Sequence, residues 1–416
     1  MTCGRPMAAV DAQFFWMSAK IPNDQFLLYA FDGQPSDLDA ALHRTCQRAW
    51  ACPELNMRVD DGCGWTYPRW VPAAAHRGQI LRHELADASW QGCLAAVVTL
   101  ADHQLDLREI PWQLHVFTPV YGIAGVDGPG TVAVLQLPHA LGDGARASAM
   151  AAWLFGREAG VPRVRRRSGF LPTRAIAAAH AHRQLVRDID AGVLATGVGA
   201  RPLLAINSRP EGVRSVRTLV RRRSELPGPT VTVGALAAVS TALWRLLGAG
   251  AETLGAEVPM AKPGVPEAHN HFGNVAVGLY PRLNFAERVQ RITADLANGR
   301  RRMAHRAARC GDRAFAAVPA PLLRWGVGKF DPGVRPTQVA GNTVVSSVNR
   351  GAADLRFDGA PVVLTAGYPA LSPVMGLTHG VHGIGDTVAI SVHAAASAVS
   401  DIDTYIDLLD AALNEC

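Results

Sequence analysis

The residues with the clearest chemical promise are Gln136 to Gly144, QLPHALGDG, in which Asp143 follows His139 by four places and Gly144 comes next. The run before them, Thr131 to Leu137 (TVAVLQL), is nearly all apolar, as a strand buried on both faces would be, and ARASAMAAWLF after them reads as a helix. A histidine at the end of a buried strand is held by rigid backbone and can project into a cleft. With an ordinary titration near neutrality, its ring can take a proton from a hydroxyl or a thiol. Asp143 is placed to fix the turn through an ion pair with an arginine and so to orient the imidazole. Gly144 allows a sharp turn where a side chain would clash. The competing reading is structural, with His139 a satisfied core histidine and Asp143 a helix cap.

Other candidates are weaker. His379 and His382 in THGVHG, with Asp386 four places after His382, form a second His-x-x-x-Asp string that reads as a Gly-rich loop ahead of a strand. His269 and His271 in AHNH have no carboxylate or cysteine at ligand spacing, which argues against a metal. Seven scattered cysteines without a CxxC pair argue against a disulfide scaffold and a structural zinc site, and none has an activating context.

The positioning elements follow from periodicity. Trp112 to Val120 reads as a strand joined to Thr131 to Leu137 through the turn-rich YGIAGVDGPG, and Ser36 to Trp50 as a helix capped by its serine. Pro, Arg and Ser dominate residues 161–175, which marks a crossover, with a helix from Thr173 to Leu194 behind it. A second half repeats the mixture: strand Ser215 to Val220, a buried helix from Thr230, strand Asn274 to Tyr280 and helix Phe285 to Arg309. Strands Thr343 to Val348, Pro361 to Gly367 and Asp386 to His393 precede a last helix, Asp401 to Leu413. The fold class is α/β in two similar halves, residues 1–160 and 215–416, joined by a crossover and helix over 161–214.

With 416 residues, 49% of them hydrophobic, the chain exceeds one ordinary core, yet no run reaches the roughly 20 apolar residues of a spanning helix. Asp11 interrupts the first apolar run, so no signal-peptide core is expected and the default location is cytoplasmic. The net charge of +6 is almost all arginine, with only Lys20, Lys262 and Lys329 as lysines. Clusters occur at Arg163, Arg165, Arg166 and Arg167, at Arg221 to Arg223 and at Arg300 to Arg302. No zinc-finger spacing, aromatic interleaving or RNP motif accompanies them, which disfavours nucleic acid. A solvated face is the plain reading; an anionic membrane surface or a phosphorylated ligand such as coenzyme A are the others.

The chain resembles the wax ester synthase/diacylglycerol acyltransferase family, bacterial O-acyltransferases of the chloramphenicol acetyltransferase and condensation-domain superfamily. The hallmark HHxxxDG is matched by Pro138-His139 to Gly144, with Pro138 in place of the first His. Ala8 to Phe15 fits the opening Leu-Ser-x-x-Asp-Ala-x-Phe segment, Ile110-Pro111-Trp112 the Pro-Leu-Trp motif, Phe272-Gly273-Asn274 the Gly-Asn segment, and Gly376-Leu377 the start of a similar C-terminal stretch. Two motifs depart: the Asn-Asp pair falls on Thr232-Val233, and Ser-Asn-Val-Pro-Gly-Pro falls on Ser346 to Gly351.

The resemblance implies two chloramphenicol-acetyltransferase-like subdomains with the active site in a channel between them. It implies acyl transfer from acyl-CoA, a co-substrate, to diacylglycerol or a long-chain alcohol, with no metal or other cofactor. His139 would be the general base, with Asp143 and Gly144 in the motif. Asn274 or a nearby Ser or Thr would supply an oxyanion donor, and Asn274, Pro138 and Trp112 would stand on the substrate side. Peripheral contact with membrane or lipid droplet is a further expectation. A donor on a carrier protein, and a non-catalytic lipid-binding relative, are the alternatives.

Overall fold

The computed structural model describes residues 4–165 and 169–415, so Arg166 and Arg167, as well as Cys3 and Cys416, lie outside the described residues. Two six-stranded mixed sheets carry the molecule. The first runs in the order Arg356–Phe357, Ala360–Gly367, Asp24–Phe31, Gly130–Pro138, Gln113–Val120, Ile80–His83. The second runs Phe272–Gly278, Gly255–Ala261, Thr343–Asn349, Leu377–Ile384, Thr387–Ala395, Arg214–Arg222.

The motif strand Gly130–Pro138 is central in the first sheet and every residue of it is buried. Ala133, Leu135 and Leu137 meet a core shared with helices Leu38–Trp50 and Gly144–Leu154, while Val132 and Val134 meet a second core beneath helix Trp90–Leu100. Two covered faces explain why its sequence does not alternate. Helix Val231–Leu247 packs close to its neighbours because its residues are small: a Cβ on Gly234 would stand 2.0 Å from the carbonyl oxygen of Pro227. Caps fix the element starts. Thr230 accepts from the amide of Val233 and Asp401 from those of Asp403 and Thr404, while Asp37, rather than the expected Ser36, caps Leu38–Trp50.

Several expected elements differ. The helix expected over Phe285 to Arg309 breaks at His305, whose Nδ1 accepts from the amide of Ala307 and opens a second helix, Arg306–Phe315. The crossover helix spans Leu171–Asp190, earlier than the expected Thr173 to Leu194. The loop expected at THGVHG is instead a fully buried strand, Leu377–Ile384. The chain also does not divide cleanly at residues 160 and 215. Ala360–Gly367 leaves the second half and pairs antiparallel with Asp24–Phe31, so the C-terminal segment completes the N-terminal sheet.

Part of the arginine surplus is tied into the fold. On the edge strand Arg214–Arg222, Arg217 meets Asp403 at 2.6 Å and Arg221 pairs with Asp410, both on the last helix. Arg214 pairs with Asp102 of the other half.

Candidate active site

His139 opens a single 3-10 turn, His139–Leu141, directly after the motif strand. Its ring is stacked on Phe14 at a centroid distance of 4.3 Å and an interplanar angle of 5°, with Phe272 on it at 5.4 Å. Phe14 belongs to helix Ala9–Met17 and Phe272 to the second sheet, so both halves hold the imidazole.

Its tautomer follows from a network that sequence spacing did not reveal. Asn270 donates through Nδ2 to Asp11 Oδ1 at 3.0 Å and to the carbonyl of His139 at 2.9 Å. Both partners only accept, so the amide orientation is fixed and Asn270 Oδ1 must face His139 Nδ1, 2.8 Å away. Nδ1 therefore carries the proton, and Nε2 keeps a lone pair. Asp11 also accepts from the backbone amides of His269 and Asn270, at 3.0 Å each. Its carboxyl is pushed up to about 6 by burial, against which these hydrogen bonds work.

Asp143 works differently from the expected ion pair. One carboxylate oxygen caps the next helix by accepting from the amide of Arg146 at 3.0 Å, and the other accepts from the amide of His271 at 2.9 Å. The Arg146 guanidinium instead faces Glu54 at 3.8 Å. Such a cap contributes about 1 kcal/mol to its helix, and here it also fastens segment 269–271 of the second half to the motif. Gly144 begins that helix and is not at a left-handed turn; a Cβ there would touch Val348 across the seam at 3.4 Å.

A cavity of about 600 Å³ lies between the halves and is lined by His139, Asp143, Gly144 and Asn274. This size suits a small-molecule site. Asn274 is exposed and donates to Glu257 at 3.0 Å. Ser346 and Ser347 line the same cavity. Ser347 shares a 2.8 Å hydrogen bond with Thr232, the residue standing where the resemblance placed an Asn-Asp pair.

Trp112 and Pro138 do not line the cavity. Trp112 is fully buried in the first core, its indole donating to the carbonyl of Leu55, and Pro138 is the buried last residue of the motif strand. His269 stacks on Trp70 and His271 contributes its amide to Asp143. His379 is a core residue between Thr343 and Tyr405, whereas His382 lines the cavity.

Burial lowers the pKa of His139 below 6.5, outweighing the Asn270 hydrogen bond and the charge of Asp143, which raise it. A lowered value keeps the ring neutral, and able to accept a proton, further into acid. The acid limb of kcat/KM should therefore have its midpoint below 6.5, with Asp11, at about 6, titrating in the same region. A midpoint at or above 6.5 contradicts this.

Residues 269–416 match the WS/DGAT C-terminal domain. That match begins at the segment holding Asn270 and does not include the His139 motif. No curated protein matches the chain. Among solved structures, the wax ester synthase/diacylglycerol acyltransferase from Marinobacter aquaeolei VT8 is similar over 99% of this chain and 98% of that one, with a TM-score of 0.64 and 18% identity. The starter condensation domain of rhizomide synthetase, a double mutant in complex with C8-CoA and Leu-SNAC, covers 99% and 93% at a TM-score of 0.61 and 12% identity. Residues 269–416 are thus similar to the WS/DGAT C-terminal domain, and over nearly its whole length the chain has the fold that the Marinobacter wax ester synthase/diacylglycerol acyltransferase and the condensation domain share.

Proposed function

We propose that this protein is an acyltransferase that moves a fatty acyl group from acyl-CoA to the hydroxyl of a long-chain alcohol or diacylglycerol, forming a wax ester or triacylglycerol. The observation that carries the reading is His139, with Nδ1–H fixed by Asn270 and Nε2 left as a base in a cavity between the halves. In the proposed step Nε2 takes the acceptor's proton as its oxygen attacks the thioester carbon. The C–O bond forms, the C–S bond breaks, and the departing thiolate recovers the proton as free CoA. A thiolate leaves readily, so neither an acyl-enzyme nor a metal is required. Ser346, Ser347 or Asn274 would donate to the transient oxyanion. The test is release of free thiol matched by ester formation.

The condensation-domain likeness supports a second reading, a donor bound to a carrier protein. Turnover with a holo carrier protein and none with acyl-CoA would select it.

A surface patch supports peripheral lipid contact. Helix Ala320–Lys329 buries Ala320, Leu323 and Val327 but leaves Leu322 and Trp325 outward, Trp325 63% exposed; Trp65, 77% exposed, lies on a loop whose Gly64 abuts Arg324. Lys329 lies 5.9 Å from the Trp325 ring, so aromatic bodies and cations share one face. Among the described residues, no helix is long and apolar enough to cross a membrane. Replacing Trp65 and Trp325 together by Ser should lower adsorption to anionic vesicles about tenfold, and salt should weaken the wild type. Sedimentation with vesicles checks this; equal adsorption of variant and wild type removes the patch from the account.

A further inference from the structure

The cavity that holds His139 also holds a cation that has no carboxylate counter-charge among the described residues. Arg350 lines it and is only 6% exposed. Its Nη1 donates to Thr365 Oγ1 at 2.6 Å and its guanidinium lies over the Tyr29 ring at 4.9 Å. Nε has no hydrogen-bond partner, and among the described residues no carboxylate forms an ion pair with Arg350. A guanidinium in such a place costs more in lost hydration than the Thr365 hydroxyl and the Tyr29 ring with its own hydroxyl return.

The surroundings are built to leave room beside it. A Cβ on Gly367 would stand 3.1 Å from Arg350 Nη2 and 2.9 Å from the His382 ring, so glycine keeps this corner open. His382 also lines the cavity, is 5% exposed, and its Nδ1 has no partner. Burial, and then the charge of Arg350, push His382 well below its ordinary pKa, so its ring adds no second charge. With Nη1 committed to Thr365, the Nε and Nη2 edge is the one suited to a two-oxygen anion.

We propose that Arg350 receives an anionic group, a carboxylate or a phosphate, carried by the alcohol acceptor, so that the preferred acceptor is a hydroxylated acid rather than a neutral alcohol. This rests on the acyl-transfer reading and narrows its acceptor. The anions of the donor sit on the nucleotide, at the far end of the pantetheine arm from the thioester carbon that must reach His139, so an anion held in the same cavity as the base is assigned to the acceptor. In the reaction the anion is a spectator: the acceptor's hydroxyl proton goes to His139 Nε2, the ester bond forms, and CoA leaves as the thiol.

The test compares thiol release from one long-chain acyl-CoA with a graded series of ω-hydroxy fatty acids, ω-hydroxyalkyl phosphates and 1-alkanols of matched length. The best acid or phosphate should exceed its alkanol at least tenfold in kcat/KM. Which of the two anions gains more names the class. The ratio should fall to about one in Arg350→Gln and recover in part in Arg350→Lys, which keeps the charge but not the fork. Equal kcat/KM for acid and alkanol in the wild type overturns the proposal, as does a preference that survives Arg350→Gln.

If the wild type releases no thiol with any acceptor, acyl transfer itself fails. Arg350 is then judged by binding, as the thermal shift given by hexadecanoate or hexadecyl phosphate against hexadecanol. A larger shift for an anion, lost in Arg350→Gln, supports the anion site; equal shifts overturn it. Should Arg350→Gln not fold, the wild-type comparison of acid with alkanol decides alone.

Discussion

Replacing His139 by Ala is expected to lower turnover about a hundredfold or more while the fold survives. The side chain packs against Phe14 and Phe272, which also touch each other, at the cavity wall and is only partly buried, so its loss leaves the sheets intact. The base is lost, and with it the group that accepts the acceptor's proton as the C–O bond forms. Added imidazole should restore part of the rate, because the vacated space lies on the cavity. Thiol release measures both effects, and circular dichroism confirms the fold. Acyl transfer at the wild-type rate in this variant would remove His139 from the mechanism.

Asn270→Leu is the second large effect, and it acts through position. Asn270 touches no reacting atom, yet it accepts from His139 Nδ1–H and donates to the carbonyl of the same residue. Without it the ring can rotate or carry its proton on Nε2, so kcat should fall about tenfold to a hundredfold with a smaller change in KM. Asp11 loses one of its donors, at a cost of about 1–3 kcal/mol in stability. A purely structural role would leave the pH profile in place. Here the lost hydrogen bond is one of the groups that raise the His139 pKa, so the acid limb should move to still lower pH. An unmoved limb with a reduced rate would reduce Asn270 to a packing residue.

The motif was legible because its parts are local. An unbroken apolar run, a His at its end and an Ala-rich helix beyond need no partner to be recognised, and the structure puts His139 at the end of Gly130–Pro138 as that pattern requires. Asn270 was not legible. It lies 131 residues away in a string where the flanking histidines draw attention, and neither flanking side chain serves the base. Polarity alone could have flagged Asp11, an acid within an apolar helix that buries it completely.

Other misreadings have equally local causes. THGVHG has the composition of a turn, but its glycines serve a close crossing: a Cβ on Gly380 would lie 2.1 Å from the carbonyl oxygen of Gly367. Strand patterns name no partner, so nothing in Ala360–Gly367 tells that it pairs with Asp24–Phe31 rather than with its sequence neighbours. Trp112 fits a family motif, yet an indole whose N–H finds the Leu55 carbonyl in the core is satisfied where it stands. Where the Asn-Asp pair departs at Thr232, the hydroxyl pair with Ser347 keeps polar groups at that place beside the cavity.

The most direct test of the central claim is a paired measurement on the wild-type protein: free thiol released from a long-chain acyl-CoA, and ester formed, with a hydroxyl acceptor present. The account predicts one ester per thiol, both dependent on the acceptor and both lost in His139→Ala. Tight binding of acyl-CoA with no thiol released, whatever the acceptor, would contradict it and leave a lipid-binding protein on an acyltransferase fold.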